Sequence, residues 1–157
     1  MPETAAEVMD TDFPTLRPDT TVQEAARILQ QLNDKPGPRV FGLMVTDNEN
    51  RLVGMFSIYD LLLLARPKHM HIYGEMTDID FSGLLAKVGR SIRGVLVGDV
   101  MSTNLITVTP ETHILMIVDL MIKKHVRRIP VLEEGKIVGI VYLSRVFRRL
   151  LDHILSE

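Results

Sequence analysis

The sequence contains no cysteine, which removes disulfides, thiolate metal sites and thiol catalysis and fits a reducing cytoplasm. It also lacks an excess of charge. Eighteen Lys and Arg stand against 20 Asp and Glu, a formal net charge of −2 with a pI near 6.2. The broad cationic field that sequence-independent nucleic-acid binding requires is therefore missing. No apolar run approaches the roughly 18 residues of a membrane-spanning helix, and the densest, Leu61 to Ala65, reads as a buried helix end. The first residues, Met1 to Glu7, carry acid where a signal peptide carries positive charge. These absences predict a cytoplasmic chain with no membrane span and no nucleic-acid partner. What is present is enough apolar sequence for a core, 46% of 157 residues, in a chain too short for two large domains.

The chain is written twice. Val8-Met9 followed by Thr15-Leu16-Arg17-Pro18-Asp19-Thr20 returns as Val100-Met101 followed by Thr107-Val108-Thr109-Pro110-Glu111-Thr112, 92 residues later. Leu52-Val53-Gly54-Met55-Phe56 returns as Ile137-Val138-Gly139-Ile140-Val141 after 85, so the first copy holds about seven extra residues, most of them in Gln31 to Arg39.

Each copy reads as short strand, helix, strand, turn, strand, helix. Thr21-x-x-Glu24 is a capping box that opens a helix from about Val22 to Leu32, with Ala25, Ile28, Leu29 and Leu32 on its apolar face. Pro36-Gly37-Pro38 ends it. A strand is predicted over Val40 to Val45, turn residues at Asp47 to Asn50, and a strand over Leu52 to Phe56. The second copy places a helix at Ile114 to Lys124, strands at Ile129 to Leu132 and Ile137 to Val141, and a last helix from Ser144. Residues 66–98 form a linker with a helix expected around Phe81 to Val88.

A tandem repeat of this order, with Val-Met before the first strand, Thr-x-x-Pro-acid-Thr before the first helix and Gly-apolar-apolar-Ser-x-x-Asp at the last, resembles the CBS domain pair, named after cystathionine beta-synthase. The resemblance covers Glu7 to Ala65 and Asp99 to Leu155. It implies an α/β fold of two tandem CBS repeats, β-α-β-β-α each, packed about a pseudo-twofold axis that leaves two related clefts. It also implies a ligand containing adenosine, such as AMP, ADP, ATP or S-adenosylmethionine, bound without chemical change and with no cofactor required.

Within that resemblance Asp60 is the position that accepts hydrogen bonds from both ribose hydroxyls, and Ser57 helps hold ribose or phosphate. A carboxylate has two acceptor oxygens for a vicinal diol, and a helix N-terminus favours an anion. Ser57-x-x-Asp60 is equally a plain capping box, and the two roles are compatible. The second copy places Tyr142 at the position of Ser57 and Arg145 at that of Asp60. Arginine has no acceptor, so the second cleft is unsuited to a ribose. Basic residues show the reverse: His125-Val126-Arg127-Arg128-Ile129-Pro130-Val131 resembles the family's phosphate-reaching strand entry, while Phe41 to Val45 is uncharged. Arg127 and Arg128 are thus expected to meet phosphate, with one good nucleotide site for the pair. The alternative is a solvated helix end made by Lys123, Lys124, Arg127 and Arg128. Thr15, Leu16, Val40, Met55 and Phe56 are candidate walls for the adenine, or simply core.

Other signals are weaker. His69-x-His71 lacks further metal ligands, and Ser57, His113 and Asp60 lack a nucleophile elbow, so neither a metal site nor enzyme activity is expected. Arg145, Arg148 and Arg149 are interleaved with Leu150, Leu151 and Ile154, the pattern of a packed amphipathic helix. Two functions remain: a sensor whose ligand shifts a conformational equilibrium read by an effector protein, or a ligand-free dimerisation scaffold. Met116, Leu120, Met121, Leu62, Leu63 and Phe147 offer more apolar surface than one small unit hides, so a homodimer is expected. Sedimentation at micromolar concentration should give about twice the 17.8 kDa monomer mass. A clean monomer would remove the expectation.

Overall fold

The computed structural model describes residues 3–37, 39–66 and 83–156. Chain order is α1 (Ala5–Val8), β1 (Thr15–Leu16), α2 (Val22–Asn33), β2 (Gly42–Thr46), β3 (Leu52–Ser57), α3 (Ile58–Ala65), α4 (Leu84–Ile92), α5 (Val97–Val100), α6 (Ile114–Lys124), β4 (Arg128–Glu133), β5 (Lys136–Tyr142) and α7 (Leu143–Leu155). These elements sort into two compact units, the first drawn from 1–15, 46–53 and 104–157 and the second from 16–45 and 54–103. The leading segment of each copy has therefore left its own repeat for the body of the other.

In the first unit β4 and β5 pair antiparallel from Arg128↔Tyr142 to Glu133↔Lys136. The turn between them has positive φ at Glu134 (53°) and Gly135 (80°), the backbone that a two-residue hairpin needs. α7 packs on β5 and on α6, and Ile117, Ile129, Val131 and Val141 are fully buried in one cluster. The leader docks through α1: Ala5 N–H donates to Thr112 O at 2.8 Å and Ala6 N–H to Pro110 O at 3.0 Å. The second unit repeats this with α5, where Val97 N–H donates to Thr20 O and Gly98 N–H to Pro18 O, both at 2.8 Å. Strands β1, β2 and β3 lie in that order in one sheet, and Leu43, Met44, Val45 and Phe56 are buried.

Beyond these amides, each leader is seated by its methionine against a glycine on the last strand. A methyl group on Gly139 would lie 2.8 Å from Met9 Cγ and 3.0 Å from Met9 Cβ. On Gly54 it would lie 2.8 Å from Met101 Cγ and 3.1 Å from the Ser102 carbonyl oxygen. Only glycine leaves room for the leader at these two positions. A two-bond bridge completes each junction, Asp10 with Ile140 at 2.8 and 3.0 Å and Ser102 with Met55 at 2.9 and 2.9 Å.

Several expectations need correction. The strand expected from Val40 starts at Gly42, because the Asn33 side chain takes both backbone groups of Val40, accepting from its N–H at 2.7 Å and donating to its carbonyl at 2.8 Å. Thr21 Oγ1 caps α2 by accepting from Glu24 N–H at 3.2 Å, but the Glu24 carboxylate pairs with Arg27 at 3.3 Å. The Leu61 to Ala65 segment is not buried within the chain: Leu62 is 60% and Leu63 44% exposed, and Asp60 alone of α3 is buried. Met121, expected on an outer face, lies in the first unit's core. The second copy has no counterpart of β1 beyond a parallel bridge from Val108 to Val131. The last helix starts at Leu143 rather than Ser144. The linker helix is α4, set back by Gly83, whose left-handed φ of 74° precedes its first turn. Pro38, Phe81 and the pair His69 and His71 lie outside the described residues.

Gly54→Ala should lower unfolding stability by about 1–3 kcal/mol, the range for overpacking a filled core, as read from urea melts. Adding Met101→Ala should recover part of that loss. Strict additivity of the two changes would show that strand and leader do not meet here.

Candidate ligand-binding site

In the second unit the end of β3 delivers Ser57 to the start of α3. Ser57 holds an extended backbone as N-cap, and its hydroxyl accepts from Asp60 N–H at 3.3 Å. The Asp60 carboxylate turns back, its Oδ2 accepting from Ser57 N–H at 2.8 Å and from Ser57 Oγ at 3.2 Å. The capping box read from the sequence is thus fully formed. Asp60 Oδ1 accepts a further bond from Ser102 Oγ at 3.3 Å. Of about four lone-pair positions on a carboxylate, three are engaged and one remains for another donor. Asp60 is only 9% exposed, so this charge is held close to apolar neighbours, beside the helix N-terminus that favours it.

Ser102 escaped the sequence reading. It sits next to Met101 at the position that Asp10 holds beside Met9, and aligning the two copies one residue past the Val-Met pair was the available signal. Of the candidate adenine walls in this unit, Leu16, Met55 and Phe56 are buried in the core, at 2%, 8% and 0% exposure. Val40 is half-buried and tied to Asn33. Thr15, half-buried, belongs to the first unit.

The first unit carries the candidate phosphate residues. Arg128 opens β4 opposite Tyr142 and is half-buried; Arg127 is exposed, and its carbonyl accepts from Leu143 N–H at 2.8 Å. Lys123, on the last turn of α6, pairs with Asp119 at 3.0 Å. His113 is the N-cap of α6, its Nδ1 accepting from Leu115 N–H at 3.0 Å, which gives that ring a structural task.

At the counterpart of Asp60, Arg145 Nη2 donates to Asp10 Oδ1 at 2.6 Å. Burial, and then the Asp10 charge, raise the Tyr142 phenol above its ordinary range against a smaller opposing pull from Arg128. Further along α7, Arg149 Nε donates to Glu3 at 3.0 Å and His153 Nε2 lies 3.2 Å from the same carboxylate. The Arg149 hydrogen bond is the main reason that Glu3 titrates below the ordinary carboxylate range. Arg145 and Arg149 thus serve the leader segment, as a packed terminal helix requires.

Among the described residues, a groove follows the helices of each unit. One, of about 470 Å³, is lined by Val22, Ala26, Gln30, Leu61, Ile92 and Arg93; the other, of about 170 Å³, includes Glu3, Ile114, Val118, Val146 and Leu150. Neither contains an expected site residue. No helix among the described residues is long and apolar enough to cross a membrane.

Comparison with known proteins accounts for this repeat architecture. The CBS domain model matches residues 5–66 and 97–152. The chloroplastic CBS domain-containing protein CBSX1 of Arabidopsis thaliana is 30% identical over 149 residues, 90% of this chain and 60% of that protein's length. The crystal structure of the CBS-pair protein CBSX2 from Arabidopsis thaliana matches with a TM-score of 0.76 at 27% identity, covering 100% of both chains. A structure of CBSX2 in complex with AMP matches with a TM-score of 0.71 at 27% identity, covering 96% of this chain and 98% of that one. With both repeats matched by the family model and the whole fold shared with a CBS-pair protein, this chain belongs to the CBS domain family.

Proposed function

We propose that the chain is a regulatory module that binds an adenine nucleotide or another adenosine-containing metabolite, of the AMP, ADP, ATP or S-adenosylmethionine type, and leaves it chemically unchanged. The observation that carries this reading is the Asp60 carboxylate, buried at a helix start yet still able to accept a hydrogen bond. The AMP complex of CBSX2, alike over nearly the whole chain, supports the ligand class.

Asp60 accepts the ribose diol. A diol needs two acceptor positions where one is open, so the Ser102 or Ser57 hydroxyl turns away as the ligand arrives. Each of these displaced bonds is long, 3.3 Å from Ser102 and 3.2 Å from Ser57, and is readily exchanged for a ribose hydroxyl. Arg127 and Arg128 are the cations proposed for phosphate. Regulation follows if the ligand binds one of two packings better than the other, with the output read by an effector protein or by a second copy. CBSX1 is chloroplastic; the cytoplasm is the compartment proposed here.

The complete capping box supports a second reading, a scaffold without ligand in which Asp60 only holds α3. The exposed Tyr59, Leu62 and Leu63 of the second unit and Phe147, Leu150 and Ile154 of the first are what such a scaffold would use in dimerisation.

Asp60→Asn tests the ribose role, because Asn keeps the size and its amide oxygen can still accept from Ser57 N–H but the charge is lost. A hydrogen bond to a charged group contributes about 1.5–3 kcal/mol, so calorimetry should show about tenfold or more weaker binding of adenosine and AMP alike. Arg127→Ala or Arg128→Ala should weaken AMP and ATP while sparing adenosine, which has no anion to offer. An Asp60→Asn protein with the parent melting temperature and undiminished AMP affinity would overturn the ribose role of Asp60, whereas a parent chain that binds neither AMP nor adenosine would leave the scaffold.

A further inference from the structure

The two copies build one hydrogen bond at one place with its polarity inverted. Asp10 and Ser102 are equivalent leader residues, 92 apart; Tyr142 and Arg145 are equivalent to Ser57 and Asp60, each 85 apart. In both units the leader residue is fixed by two backbone bonds to the last strand, Asp10 to Ile140 and Ser102 to Met55. From that fixed backbone its side chain reaches the residue near the start of the following helix. In the second unit the leader donates and the helix accepts, from Ser102 Oγ to Asp60 Oδ1 at 3.3 Å. In the first unit the helix donates and the leader accepts, from Arg145 Nη2 to Asp10 Oδ1 at 2.6 Å.

This inversion changes what each position can do. Ser102 and Asp60 together keep a net negative charge and an acceptor, behind a bond that is long at 3.3 Å. Asp10 and Arg145 cancel, and their charge-assisted bond is of the shorter, stronger kind. A diol arriving there meets no acceptor on the helix, and the carboxylate on the leader already carries the Arg145 guanidinium. Tyr142 also puts a ring, its phenol pushed above the ordinary range by burial and the Asp10 charge, where Ser57 has a small hydroxyl.

We infer that the Asp10–Arg145 ion pair, backed by Tyr142, is the specificity determinant that closes the first unit's counterpart of the Asp60 position to vicinal diols. The inference rests on the nucleotide reading given above and adds to it the residue, Asp10, that makes the two positions unequal. Discrimination of this kind works by occupying the wrong site as much as by improving the right one.

The test moves the second unit's residues into the first, as Asp10→Ser, Tyr142→Ser and Arg145→Asp in one full-length chain. All three are changed together, because Arg145→Asp alone would set two carboxylates face to face. Titration calorimetry with adenosine should give about one ligand per chain for the parent and about two for the triple variant. Adding Asp60→Asn to the triple variant should return the count to about one, now at the rebuilt position. A triple variant that melts like the parent and still takes one adenosine overturns the inference, as does a parent that takes two with equal affinity. If the triple variant does not fold, Asp10→Ser with Arg145→Asp, keeping Tyr142, is scored the same way. Absence of adenosine binding in parent and variant alike overturns the nucleotide reading and the inference with it, whereas a count that stays at one in both overturns the inference alone.

Discussion

The fold depends on a thioether seated over a bare backbone. Met9 against Gly139 and Met101 against Gly54 hold each leader to the repeat that is not its own, and a side chain on either glycine would occupy the methionine's place. Methionine suits the task because its unbranched, polarisable chain fills an irregular gap without rotamer strain. With the methionine in place, the leader amides find Thr112 and Pro110 in one unit and Thr20 and Pro18 in the other. The residues beyond them, Asp10 and Ser102, are then set at fixed heights beside the last helices. Neither compact unit is continuous in sequence as a result.

The same scaffold carries different electrostatics in its two copies. Around Asp60 all three donors are local or neutral, and the carboxylate keeps its charge in a nearly closed position. Around Arg145 the charge is cancelled by Asp10, with half of the arginine side chain in solvent, and an exposed pair of that kind contributes only about 0–1 kcal/mol of stability. Its consequence is therefore chemical more than energetic: it leaves a neutralised pair where the other copy keeps an acceptor on the helix. The duplicated framework lets one position keep an open acceptor while the other satisfies itself.

Apolar surface is also shared unevenly between inside and outside. α3 buries only its aspartate and turns Leu62 and Leu63 outward, while α7 buries Val146 and leaves Phe147, Leu150 and Ile154 exposed. An uninterrupted apolar run such as Leu61 to Ala65 has no polar face from which to read an orientation. Its residues are therefore assigned to a core from composition, although the capping carboxylate is what anchors the helix start. Exposed apolar side chains gathered on a helix favour self-association.

Local and periodic features were legible in the sequence for reasons that do not depend on distant contacts. The α6 boundaries, the N-cap at Thr21, the capping box at Ser57 and Asp60 and the β4–β5 turn all follow from residues within a few positions of one another, and the two offsets and the family from a pattern that recurs along the chain. The inability of Arg145 to accept a hydrogen bond is a property of the guanidinium wherever it lies. Three things were decided by the tertiary structure alone. Val40 left the strand because Asn33, seven positions earlier, took its backbone groups. The leaders changed partners because glycine opposite methionine creates a seat that spacing does not advertise. Ser102 and Asp10 became neighbours of Asp60 and Arg145 across 42 and 135 residues of chain, and pairings over such separations are set by which backbones are bridged, not by any pattern along one of them.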